Sequence, residues 1–240
     1  MRVTSRLERK YHLNISQYLQ VKNSLRAYMQ PDSYTTAGGG SYLVRSLYYD
    51  SHDFAAYHER SNGNFGRIKL RIRSYTDDPG SKPMILIELK TKKGCSMEKY
   101  SSFVPYSRYQ TFLVQNTWNC PADPVLIEFE RLVHTRALAP ILLVQYQREG
   151  FSARDRCPVR VTLDQNIHST RAHELYPTGR LLKPHRPKRI ILEIKSRSGD
   201  EPDWLRHIVR HHSLKLVSNS KYVQGIEIIR PNMATPRFTD

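Results

Sequence analysis

Three Glu-x-Lys pairs lie in segments with the composition of β-strands: Glu8-Arg9-Lys10, Glu88-Leu89-Lys90 and Glu193-Ile194-Lys195. Residues two apart on a strand point to the same face, so each pair predicts a carboxylate beside an ammonium group. Aliphatic residues precede the second and third pairs, which predicts that these strands are buried. A buried ion pair is costly, because both charges lose their hydration, so a pair that recurs on several strands suggests a function. Binding a polyanion together with its metal ion is such a function, because ammonium groups bind phosphate and carboxylates bind hard cations.

Basic residues alternate with aliphatic ones in Arg67–Arg73, where every odd position is Arg or Lys. The strand Met84–Lys92 places Glu88 and Lys90 on one face and three aliphatic residues on the other. For a single strand, a solvated face is the simpler interpretation. The same pattern in five or six strands favours a bound anion, because like charges on neighbouring strands repel each other unless a ligand compensates them.

Composition supports an anionic partner. The 240 residues carry a formal charge of +16, with 39% hydrophobic and 25% charged residues, which is typical of a globular protein. Three cysteines without Cys-x-x-Cys spacing argue against a disulfide framework or a zinc site. Charged residues interrupt the first apolar run, so we expect no signal peptide, and no segment is long and apolar enough to span a bilayer. These features predict a cytoplasmic protein.

The order of elements predicts an α+β fold, in which a mostly antiparallel sheet closes on itself and helices are inserted between the strands. We expect one domain over residues 1–230 and a flexible tail over residues 231–240. Ser16 is predicted to cap the first helix, and either Ser218 or Ser220 the last one.

A set of short motifs resembles a known family, the polyphosphate polymerase domain of the vacuolar transporter chaperone (VTC) complex in its stand-alone bacterial form. That family belongs to the CYTH-like triphosphate tunnel metalloenzymes. Each motif is short, but the ordered set is specific and covers nearly the whole chain. The motifs are Glu8–Tyr11, Val44–Asp50, Lys69–Arg73, Ile87–Lys90, Tyr146–Arg148, Val161–Asp164, Leu192–Lys195 and Ser220–Val223.

The resemblance implies a closed tunnel of about eight antiparallel strands with helices packed outside. It also implies transfer of the ATP γ-phosphate to a polyphosphate chain, with Mn²⁺ or Mg²⁺ as the cofactor. The implied catalytic residues are Arg71, Arg73, Lys90 and Lys221. The implied substrate-binding residues are Lys10, Lys69, Lys99, Tyr146, Arg148, Arg160, Lys195 and Ser220. The implied metal ligands are Glu193, with Glu88 and Glu8 as secondary ligands or as groups that orient the neighbouring lysines.

The chain departs from related patterns at two positions. Triphosphatases of the superfamily begin with Glu-x-Glu-x-Lys, and Arg6 stands in place of the first carboxylate. Ser218 stands where the fungal polymerase has a further tunnel lysine. The first departure favours the polymerase over a triphosphatase in the same tunnel, which is the main alternative. A non-catalytic protein that binds polyphosphate or RNA is the third interpretation.

Partners follow from the same comparison. We expect ATP and polyphosphate, or another triphosphate, as ligands and no specific nucleic acid, because carboxylates on the binding face repel nucleic-acid phosphates. The eukaryotic complex contains membrane helices that this sequence lacks. A separate membrane protein is therefore an expected partner, which would hold the chain peripherally at the membrane.

Overall fold

The computed structural model describes residues 6–61, 66–93, 96–155, 157–197 and 201–233. No helix of these residues has the length and apolar character needed to cross a membrane. The helices are α1 (Ile15–Leu25), α2 (Ser33–Ala37), α3 (Ala55–Ser61), α4 (Tyr106–Gln115), α5 (Pro124–Thr135), α6 (Asp203–His211) and α7 (Lys221–Ile229). The strands are β1 (Arg6–Leu13), β2 (Met29–Pro31), β3 (Tyr42–Asp50), β4 (Gly66–Ser74), β5 (Met84–Lys93), β6 (Ser96–Pro105), β7 (Ala139–Ala153), β8 (Arg160–Thr170), β9 (Lys183–Pro184) and β10 (Ile190–Arg197).

The strands form a large sheet in the order β1-β10-β8-β7-β3-β4-β5-β6, with β2 paired to β7 and β9 to β8. The pairings of β1 with β10, β10 with β8, and β3 through β6 in succession are antiparallel. The predicted α+β class is confirmed. The predicted closure is not, because β1 and β6 end the order and no pairing joins them within the described residues.

The chain divides into two compact units, and each unit consists of three separate segments. Unit 1 comprises Met1–Leu43, Tyr146–Ile167 and Arg186–Asn219, and unit 2 comprises Val44–Gln145, His168–His185 and Ser220–Asp240. The prediction of one domain over residues 1–230 stays a prediction. In the predicted tail, residues 231–233 form a 3₁₀ turn, and residues 234–240 lie outside the described residues.

Each unit has its own apolar core. In unit 1, side chains of β1, β8 and β10 pack against α1 and α6; they include Tyr11, Leu13, Val21, Leu25, Val161, Leu163, Leu192, Ile194, Leu205 and Ile208. In unit 2, one face of β3 to β6 packs against α4 and α5; the side chains include Leu47, Leu70, Ile72, Ile85, Ile87, Leu89, Tyr109, Phe112, Leu126 and Phe129. The aliphatic positions of β4 and β5 are therefore buried, as their alternation predicts, and the opposite face of these strands carries the charged residues.

Helix caps correct one prediction and confirm another. Asn14, not Ser16, begins α1: its side chain accepts a hydrogen bond from the Gln17 amide at 2.8 Å, and the Gln17 side chain accepts one from the Asn14 amide at 3.2 Å. This reciprocal arrangement satisfies two backbone donors, so the helix starts earlier than a Ser16 cap would place it. Ser220 caps α7, accepting a hydrogen bond from the Val223 amide at 3.5 Å.

Candidate phosphate and metal sites

Strand register places most of the predicted catalytic residues of unit 2 on one surface. Lys69 of β4 pairs with Lys90 of β5, which pairs with Lys99 of β6. The next row on the same face runs from Arg71 to Glu88. We call this surface the cationic face; its charged side chains are Lys69, Arg71, Arg73, Glu88, Lys90 and Lys99. Like charges on adjacent strands repel, so the face favours an anion.

Glu88 holds the arginines of the cationic face in position. Its side chain is 1% exposed. Arg71 Nε donates to Glu88 Oε2 at 2.5 Å, Lys99 Nζ lies 2.5 Å from Oε1, and Arg73 Nε lies 3.7 Å from Oε2. Burial alone would raise the pKa of Glu88, but the charges of Arg71, Arg73 and Lys99 and the Arg71 hydrogen bond outweigh burial and hold it well below its usual range. Glu88 is therefore ionised at neutral pH and serves as a shared anchor for three cations.

We expect Glu88→Gln to lower the free energy of unfolding by about 1–3 kcal/mol near neutral pH, because a neutral amide leaves the neighbouring cations without their counter-charge. The pKa of Glu88 is depressed in the folded state. Its contribution is therefore complete above the unfolded value near 4.5 and is lost as the pH falls towards the folded value. Urea titrations from neutral to acidic pH should show the two proteins converging as the pH falls. A constant difference across that range would contradict the assignment.

Tyr48 belongs to the same surface, although it is absent from the predicted site residues. It pairs with Arg71 in the register of β3 and β4, and Arg71 Nη1 donates to the Tyr48 hydroxyl at 3.4 Å. In the next row, Arg73 Nε donates to Ser46 Oγ at 3.1 Å. Burial would raise the pKa of Tyr48, but Arg71, Arg73 and Lys221 lower it below its ordinary value. Alternation along β3 places Ser46 and Tyr48 on one face, but their contacts with the arginines depend on the register with β4, which the sequence does not show.

The start of α7 carries two further predicted residues. Ser220 is its N-cap, and Lys221 is its first residue, whose charge reaches Tyr48. The following residue, Tyr222, donates a hydrogen bond to the fully buried Asp50. The Lys69 ammonium lies 4.9 Å from the centre of the Tyr222 ring, a cation–π contact. Tyr222 therefore contributes both to the position of Lys69 and to the attachment of α7 within unit 2.

In unit 1, two of the Glu-x-Lys pairs lie side by side on β1 and β10. Lys10 is opposite Glu193, and Glu8 is opposite Lys195. Lys10 Nζ lies 2.8 Å from Glu8 and 3.7 Å from Glu193, and Lys195 Nζ lies 2.8 Å from Glu193. We call these four side chains the charge square. Opposite charges alternate around it, so two carboxylates converge on the ammonium of Lys10.

The oxygen atoms around the charge square fit a hard divalent cation. Thr162 pairs with Glu193 in the register of β8 and β10. Its buried Oγ1 atom has no hydrogen-bond partner among the described residues, and the same is true of the buried Oδ1 atom of Asn219. The backbone oxygen of Asn219 accepts a hydrogen bond from Lys10 Nζ at 3.1 Å. Within the described residues, no three His, Cys, Asp or Glu side chains form a metal cluster. The carboxylates of Glu193 and Glu8 could supply the two protein ligands of a hard cation such as Mn²⁺ or Mg²⁺, whose other ligands would be water and phosphate oxygens.

The remaining predicted residues of unit 1 are held by acidic partners. Arg148 forms a two-point ion pair with the fully buried Asp164, at 2.6 Å from Oδ1 and 2.8 Å from Oδ2, and its guanidinium lies 5.2 Å from the centre of the Tyr146 ring. Asp164 is a second residue that is absent from the predicted site. Arg160 is about half exposed and contacts Asp32 at 2.9 Å. Asp164 therefore fixes the orientation of Arg148, whereas Arg160 contacts the N-cap residue of α2.

Comparisons with known proteins show the family of this chain and support its fold. The chain matches the VTC domain over residues 5–230 and belongs to that family. A solved structure from Bacillus halodurans, provisionally described as an adenylate cyclase, superposes with a TM-score of 0.56 at 16% identity, covering 92% of this chain and 97% of that one. One from Vibrio parahaemolyticus with the same description gives 0.50 at 12% identity, covering 93% and 98%. No curated protein matches the chain. At these identities the structures support a common fold and nothing beyond it.

Proposed function

We propose that this chain is a metal-dependent polyphosphate polymerase that transfers the γ-phosphate of ATP to the end of a polyphosphate chain. The observation that carries the proposal is the cationic face: it presents five cations and one carboxylate, Glu88, and three of the cations contact that carboxylate. Such a surface favours a ligand with several negative charges close together. Arginine binds phosphate through two parallel donors, and lysine acts as a point charge.

Phosphoryl transfer needs positioning and charge stabilisation more than a protein nucleophile. In the proposal, Arg71 and Arg73 bind the transferred phosphoryl group, while Lys69, Lys90, Lys99 and Lys221 bind the flanking phosphates. Glu88 and Tyr48 keep the arginine side chains oriented. The acceptor is the terminal phosphate of the chain, which is already ionised near neutral pH, so no strong general base is required.

In unit 1, Glu193 and Glu8 would hold the divalent cation, and Lys10, Lys195 and Arg148 would bind phosphate. When bound, the cation neutralises charge on the phosphate oxygens that it contacts. The metal role predicted for Glu88 remains a prediction; its ion pairs with Arg71 and Lys99 support the orienting role instead. The proposal includes the closed tunnel and the separate membrane partner that the family resemblance implies, and the cytoplasmic location that the composition predicts.

Incubation of the purified protein with ATP and Mn²⁺, followed by a polyphosphate gel, tests this function. A ladder of products is the expected result. Release of orthophosphate without a ladder would show a triphosphatase and contradict the polymerase. Unchanged ATP would leave a polyanion-binding protein and contradict the proposed activity.

A further inference from the structure

The cationic face continues into an apolar surface at one end. Leu86 lies two residues before Glu88 on the same face of β5. It pairs with Phe103 of β6. Met84 comes next and pairs with Pro105. Phe103 and Met84 are 53% and 52% exposed, whereas Leu86 is 5% exposed. Side chains that are directly opposite on paired strands lie about 5 Å apart, and diagonal neighbours remain within reach of an aromatic ring. These side chains therefore form one patch, which we call the apolar extension.

The position of Phe103 is unusual for its strand. The core face of β6 is the one that carries Val104, which is 1% exposed. Phe103 instead shares its face with Lys99 and Ser101, on the side where Ser101 pairs with Glu88. A single exposed apolar side chain needs no explanation. Here, however, an exposed aromatic ring lies beside Met84, and the cationic face lies along the same strands. The two surfaces together offer a ligand both apolar and cationic contacts.

Distance supports one ligand across both parts. Phe103 pairs with Leu86, and Leu86 pairs with Arg73, so two strand spacings, about 10 Å in total, separate the ring from the nearest arginine. A ligand that spans this distance needs an anionic end for the arginines and a flat apolar end for Phe103. A nucleoside triphosphate has both, joined through a ribose.

We propose that Phe103, supported by Met84 and Leu86, is the stacking surface for the base of the nucleoside triphosphate. The inference rests on the proposed function in taking ATP as the donor substrate. It adds that the donor is selected by its base as well as by its phosphates. The phosphates would lie over Arg71 and Arg73, and the base would lie over Phe103 at the edge of the sheet.

Binding measurements without turnover test this site. Calorimetric titrations with ATP and with inorganic tripolyphosphate, in buffer with EDTA to prevent metal-dependent chemistry, compare a ligand with a base to one without. We expect Phe103→Ala to weaken ATP binding about tenfold and to change tripolyphosphate binding by less than about twofold. Phe103→Trp should retain ATP affinity, and its added fluorescence should be quenched by ATP but not by tripolyphosphate. Tyr100→Ala, on the opposite face of the same strand, is the matched control and should bind ATP as the wild type does.

Two results would overturn the proposal: equal loss of affinity for both ligands in Phe103→Ala, or no loss of affinity for either ligand. A short oligoadenylate that binds at least as tightly as ATP, with the same dependence on Phe103, would assign the ring to nucleic acid and also overturn it. Failure of the polymerase proposal would give a different result. The wild type would then make no polymer, but Phe103→Ala would still weaken ATP binding more than tripolyphosphate binding.

Discussion

Replacement of Arg71 by alanine is expected to reduce polyphosphate synthesis about a thousandfold or more, with little loss of folded protein. An arginine that stabilises the charge of a transferred phosphoryl group contributes about 10³–10⁵ to the rate. Arg71 is the cation closest to Glu88 Oε2, and its side chain is partly exposed. Initial rates of polymer formation at saturating ATP, with circular dichroism to verify folding, measure the effect.

Two further variants separate geometry from charge. Arg71→Lys keeps the charge but loses the two-point contact with phosphate, so we expect it to recover only a small part of the rate. Arg131→Ala removes an equal charge from an exposed ion pair with Glu128 on α5 and should leave the rate unchanged. Wild-type activity of Arg71→Ala would remove Arg71 from the reaction. An equal loss in Arg131→Ala would assign the effect to net charge.

Glu193→Gln is expected to lower turnover about a hundredfold or more and to weaken Mn²⁺ binding. Glu193 is buried and lies between Lys10 and Lys195, so the amide replaces the central carboxylate of the charge square without changing its size. Charge stabilisation by a bound divalent cation is worth several kcal/mol, and each 1.36 kcal/mol is a factor of ten in rate. The rate as a function of Mn²⁺ concentration and the electron paramagnetic resonance signal of free Mn²⁺ give the two readouts.

Glu128→Gln is the matched control, because it removes a carboxylate from an exposed helix surface. It should bind Mn²⁺ and turn over as the wild type does. If Glu193→Gln loses activity but binds Mn²⁺ normally, Glu193 orients the lysines and is not a metal ligand. If neither property changes, the charge square has no part in the reaction.

Alternation along single strands predicted the cationic face well, because the direction of a side chain on a strand depends only on its parity. Lys69, Arg71 and Arg73 of β4 and Glu88 and Lys90 of β5 carry the charges, and the aliphatic residues between them enter the core. The contact of Glu88 with Arg71 and Lys99 was beyond prediction, since these residues lie on three strands whose register depends on the connecting turns.

Other features escaped prediction for reasons of chemistry or chain order. Tyr48 has the composition of an ordinary β-strand residue, and only its pairing with Arg71 reveals its polar surroundings. The parity of Asp164 predicts the face of β8 on which it lies but not its contact with Arg148, because that two-point ion pair joins two strands. The division into two compact units is not visible as a change of composition, because the segments of the two units alternate along the chain.

Transfer of labelled phosphorus tests the central claim most directly. The protein would be incubated with Mn²⁺ and ATP labelled at either the γ- or the α-phosphorus, and the polymer would be separated on a gel, with Arg71→Ala as the inactive control. The proposed function predicts that the γ-label enters a ladder of polyphosphate and that the α-label does not. Release of the γ-label only as orthophosphate, or its retention in ATP, would contradict the proposed polymerase.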